Sequence, residues 1–277
     1  MTSGQQENGA TGQDVEAKPQ TSSNLIRQKL IQTRSQKRGL CIIIANFTDE
    51  LDGYQNDVAR IASLYESLNY DVIGGSNDSQ WRDLRATEMR QQFQNLANNI
   101  TNSSPTCDYH SIAIYILTSH GNIYHGAPTP SDHLTPAQVV NTLSKATHLK
   151  DVPKLLVLAN LKSSEVASEP ASFWRFSMLE QTSNTVLYQA HNLAHKSIVL
   201  PNRGSWFIET LVATFREHHQ QREVLELLGD VNTQIREAFE HDNSDASADD
   251  DDAGFQVPSW AATLCSDFYL TPGNERV

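Results

Sequence analysis

Cysteine is scarce in this chain. There are three, Cys41, Cys107 and Cys265, far apart and with no C-x-x-C pair among them. Zinc-ribbon and thioredoxin-like chemistry therefore have no support, and no metal site is implied. Basic residues are also few, 21 against 33 acidic ones, for a formal net charge of -12. A polyanionic partner needs a clustered cationic surface. The one short basic run, RSQKR at 34–38, reads as a solvated lead-in to a strand, so nucleic acid is excluded as a partner. No apolar run approaches the ~18 residues that cross a bilayer, and the start shows no basic-then-apolar leader. A cytoplasmic protein without membrane attachment is expected. The N-x-S/T sequons at Asn46, Asn77, Asn99 and Asn102 then read as chance matches. Aspartate is missing altogether between Val152 and Gly229.

What is present alternates between two periodicities. Residues 1–35 are rich in Gln, Ser, Thr and Gly and are expected to form a short disordered tail. GLCIIIANF at 39–47 is a continuous apolar, β-branched run of the kind buried on both faces of a sheet. Val58, Ile61, Tyr65 and Leu68 then predict a helix over 57–68, and Met89, Phe93 and Leu96 another over 87–98. YDVIGG at 70–75, SIAIYILTSHG at 111–121, KLLVLAN at 154–160 and NTVLYQA at 184–190 read as further strands. Helices are predicted at 136–144, 206–215 and 224–239, a structureless acidic loop at 241–254, and a last strand within 257–270. Strands alternating with helices give an α/β fold, with a mostly parallel central sheet and helices on both faces. Ligands of such folds bind beyond the carboxyl ends of the strands, where His120 and the residues around Asn160 fall.

In this order and spacing the segments RGLCIIIAN, GYQNDVARIASLYESLNYDV, LTSHG, PKLLVL, RGSWFIETL and VPSWAATLCSDFYL resemble a caspase, over nearly all of the chain from residue 38 to 270. The resemblance implies a caspase-like three-layer fold. Residues 36–162 would be the large-subunit-like region and 185–277 the small-subunit-like region of one fold, joined by a linker at 163–184. Family members mature by cleavage after aspartate in that linker. With none there, this chain is expected to stay uncut.

The family's chemistry needs a thiolate, an adjacent imidazole and backbone N–H donors for the oxyanion. Its nucleophile signature, Q-A-C-[RQG]-G, laid on the PKL anchor falls on Ala159, Asn160, Leu161, Lys162 and Ser163. Leu161 thus stands at the nucleophile position, and a leucine has no lone pair with which to attack a carbonyl. Cys41 and Cys265 are expected inside the first and last strands, away from His120. The resemblance makes His120 and Gly121 remnants of the catalytic histidine and an oxyanion donor. A caspase also holds its substrate's aspartate with two arginines and a glutamine, because a desolvated carboxylate needs bidentate partners. Here those positions carry Leu51, Val199 and Ala159, beside the pocket aromatic Trp206. Arg60 and Arg203 lie nearby in sequence but are expected on a helix and at a helix start.

Three functions follow. The first is a pseudoenzyme that regulates apoptosis by binding an active caspase or a caspase adaptor, as a homo- or heterodimer. Its contact would be the small-subunit edge strand, with Ala261, Ala262, Thr263, Leu264, Cys265 and Phe268. The second is an enzyme of altered specificity in which His120 serves another nucleophile or a water. The third is a binding module whose apolar former pocket takes a hydrophobic peptide. No cofactor is implied by any of them.

Overall fold

The computed structural model describes residues 38–46, 53–75, 78–102, 109–118, 123–124, 134–160, 182–190, 199–200, 203–242 and 258–271. Strands β1 (Gly39–Asn46), β2 (Tyr70–Gly74), β3 (Ser111–Thr118), β4 (Lys154–Asn160), β5 (Thr185–Gln189) and β8 (Ser259–Ala262) form one sheet in the order β2-β1-β3-β4-β5-β8. All neighbours are parallel except β8, which runs antiparallel to β5. Two further strands, β6 (Val199–Leu200) and β7 (Gly204–Ser205), pair with each other apart from the sheet. They are too short to leave a periodic trace in the sequence.

Every residue of β1 and β3 is buried. The pleat sends alternate side chains to opposite faces, and the two faces build two separate cores. Cys41, Ile43, Tyr115, Leu117, Val157 and Tyr188 pack on one side against helices α1 (Tyr54–Ser67), α4 (Trp206–His218) and α5 (Val224–Asp242). Ile42, Ile44, Ile114, Ile116, Leu156 and Leu187 pack on the other against α2 (Ala86–Asn102) and α3 (Pro136–Ser144). This is the α/β arrangement expected from the strand-helix alternation, with β4 and α3 at their predicted bounds.

Three expectations need correction. The last strand ends at Ala262 rather than running toward residue 270. There the Cys265 N–H donates to Asn184 Oδ1, and the chain turns inward to bury Phe268 and Leu270 in the first core. Cys265 therefore lies beyond the strand and is exposed. The helix before the acidic loop continues through His241 and Asp242. The expected tail at 1–35, the core of the acidic loop and most of the 163–184 linker lie outside the described residues.

Candidate functional site

The strand register brings the site's supports together. Asn46 of β1 pairs with Thr118 of β3, and Thr118 with Asn160 of β4. Parallel neighbours lie about 4.8 Å apart, so the chain leaves β3 and β4 from adjacent points on the sheet's carboxyl edge. His120 follows Thr118 by two residues and Leu161 follows Asn160 directly. His120, Gly121, Leu161 and Leu51 themselves lie outside the described residues, as does the side chain of Val199.

The described residues show what holds this edge. Asn46 is fully buried. Its Nδ2 donates to the Ile123 carbonyl at 2.8 Å, and its Oδ1 accepts from the Leu84 N–H at 2.9 Å. The amide thus fastens the chain just past Gly121 to the tip of β1. Its burial also removes it as a glycosylation acceptor, in line with reading that sequon as a chance match. Ala159 is fully buried among the core residues facing α1, α4 and α5. Val199 pairs with Ser205, and Leu200 with Gly204. Trp206 opens α4 and is half-buried, and the Ser205 hydroxyl caps that helix by accepting from the Ile208 N–H at 3.2 Å.

A buried carboxylate that sequence reading missed joins these parts. Asp57, in the first turn of α1, has no exposed side chain. Both its oxygens accept from the one Ser205 N–H, at 3.1 and 2.9 Å. Arg60 lies 3.4 Å from it and also donates to the Arg203 carbonyl. Burial pushes the Asp57 carboxyl up to about 6, against the opposing pull of the Ser205 N–H and the Arg60 guanidinium. Gly204 makes the approach possible. Its φ is +98°, and a Cβ there would sit 2.3 Å from Asp57 Oδ1. In sequence a lone aspartate in a first helical turn looks like a dipole partner. Its true partner is 148 positions away, so nothing local signals it. Arg60 does sit on a helix, and Arg203 just ahead of α4 pairs with Glu209 at 2.8 Å.

Cys41 does not have a nucleophile's surroundings. Cys41 is fully buried in β1, and burial raises its thiol well above the ordinary value. A reactive thiol needs the opposite shift. Among the described residues, no group of three or more His, Cys, Asp or Glu side chains could hold a metal ion. No described helix is long and apolar enough to cross a membrane.

The other candidate surface is the sheet's far edge. Among the described residues β8 pairs with β5 on one side only, with Leu187 opposite Ala261 and Tyr188 opposite Trp260. Trp260 is 44 % exposed, the one exposed large apolar side chain among the described residues. The Thr263 N–H and carbonyl both turn inward, to Thr185 O and Asn184 N–H. Strand alternation then directs the N–H groups of Ala262 and Trp260 outward. Of the residues expected on this edge, Ala261 and Ala262 lie in the strand. Thr263 and Leu264 follow its end, half-buried, Cys265 comes next in the turn, and Phe268 is buried in the core and unavailable to a partner.

This sheet order, with helices on both faces and the candidate positions at the ends of β3 and β4, defines a caspase-type α/β protein. The model of the Caspase domain family matches residues 38–269, and the chain belongs to that family. It is also similar to Caspase-7 of Gallus gallus, at 26% identity over 97% of each chain.

Proposed function

We propose that this chain is a non-proteolytic member of the caspase family that regulates apoptosis or caspase activity in the cytoplasm. It binds an active caspase or a caspase adaptor through the open edge of β8. One observation carries the reading: leucine stands where the family's signature places its nucleophile. The substrate-binding positions are apolar as well, with Leu51, Ala159 and Val199 in place of two arginines and a glutamine. A substrate aspartate buried there would lack partners, at a cost of several kcal/mol. Trapping of substrate at that site is therefore disfavoured, and function passes to other surfaces.

The edge has the chemistry for a partner. Its outward N–H and C=O groups can add a strand, and Trp260 supplies the apolar anchor common at interface centres. Ala262→Pro removes one outward N–H without touching a bond to β5. Trp260→Ser removes the anchor. Both variants should fold, by circular dichroism, and should lose co-purification with an active caspase, while Arg236→Ala on α5 should keep it. Retained binding by both edge variants would overturn the edge as the contact.

A further inference from the structure

Helices α1 and α4 share a surface cavity of about 270 Å³. It is lined by Asn56, Ala59, Arg60 and Ser63 of α1 and by Arg216 of α4. The four α1 positions follow the spacing of a single helix face. Two of the five lining residues are arginines and none is acidic, in a chain of net charge -12. Arg60 is not a loose surface side chain. It is 30% exposed, and Nη1 is drawn toward the Asp57 carboxylate and the Arg203 carbonyl. A guanidinium carries five N–H donors in a fixed fork, and these contacts involve Nη1 alone. Its orientation is therefore set before any ligand arrives, which lowers the cost of binding one. Arg216 is exposed on the last turn of α4.

We infer that this cavity is an oxyanion site for the phosphate group of a phosphomonoester. A carboxylate has two oxygens, and one guanidinium fork satisfies both. A phosphate has three free oxygens in a tetrahedral array and can engage two guanidinium groups from different helices at once. The Ser63 hydroxyl offers a neutral donor for a remaining lone pair. The Asp57 carboxylate behind Arg60 offsets one positive charge, so the dianion is received by a surface that is not overcharged when empty. Ala59 gives the ester's carbon chain an apolar wall, and the cavity is roomier than a bare ion requires. The site lies on α1 and α4 and is independent of the function proposed for the β8 edge.

The test is titration of the full chain with inorganic phosphate at constant ionic strength, following the arginine Nε–H resonances in ¹H–¹⁵N spectra. Arg60 and Arg216 should shift saturably. Arg216→Ala should weaken phosphate binding about ten- to a hundredfold, the loss expected for a charged hydrogen bond. Arg216→Lys should fall between the two, because it keeps the charge and loses the fork. A phosphoserine peptide and a sugar phosphate, titrated in parallel, distinguish a protein-borne from a free phosphomonoester, and saturation by either supports the site. A role for Arg216 limited to the helix dipole would change stability and leave phosphate binding alone. Linear shifts, equal binding by Arg216→Ala, or acetate binding as tightly as phosphate would each overturn the inference.

Discussion

Replacing Asp57 by asparagine isolates the energetics of the buried carboxylate that ties α1 to α4. The ordinary aspartate value is about 4, and in the fold this carboxyl is pushed up to about 6. An acid whose value rises on folding binds protons more tightly in the native state. Its contribution to stability is present at low pH and is lost as pH rises from about 4 to about 6. Two units correspond to roughly 3 kcal/mol, of which about 2 kcal/mol falls between pH 4.5 and 7.5. Asparagine keeps an oxygen to accept the Ser205 N–H and carries no charge to desolvate. Arg60 keeps its contact with the Arg203 carbonyl. Urea unfolding of the wild type and Asp57→Asn, at several values from pH 4.5 to 7.5, should therefore diverge. The variant gains about 2 kcal/mol relative to the wild type across that interval. Asp57→Ala, which orphans the Ser205 N–H, should lie about 1–3 kcal/mol below Asp57→Asn at every pH. Parallel curves for the wild type and Asp57→Asn would refute the reasoning.

Other consequences follow from packing and burial. Gly204→Ala combines a positive φ with a collision against Asp57. It should cost more than the ~1–2 kcal/mol of the backbone alone, read as a lower urea midpoint with an unchanged slope. Lys154 is fully buried, donates to the Val152 carbonyl at 2.8 Å and the Lys150 carbonyl at 3.2 Å, and is lowered to about 8 by burial. A base lowered on folding gains stability as pH rises. The wild type should therefore gain on Lys154→Met by roughly 3 kcal/mol between pH 7 and 10.5, and an unchanged difference would count against burial as the cause. Asn46→Ala leaves the Leu84 N–H without its acceptor. It should lower stability by about 1–3 kcal/mol and speed hydrogen exchange at Leu84.

Much of the fold was legible because its strands are buried on both faces. LLVL and IAIYIL admit few other readings, and helices α1 to α5 carry clear apolar stripes. The end of the chain misled because SWAATLCSDFYL keeps a strand-like composition past the point where it turns. What ends β8 is a side-chain bond from Asn184, some 80 positions upstream, and the pull of Phe268 and Leu270 into the core. The candidate site was legible in a different way. His120 and Leu161 were placed by resemblance to a family motif, since a lone histidine and a lone leucine carry no signal in periodicity. Asn46 read as a sequon and Asp57 only as the start of a predicted helix. Their roles depend on Ile123, Leu84 and Ser205, and those contacts exist only once the sheet has assembled.

The most direct measurement is turnover of an acidic tetrapeptide fluorogenic substrate by the purified chain, alone and after co-expression with an active caspase. The predicted result is no turnover alone and an altered rate for the partner, with the alteration lost in Ala262→Pro. Intrinsic turnover that disappears in His120→Ala would contradict the central claim.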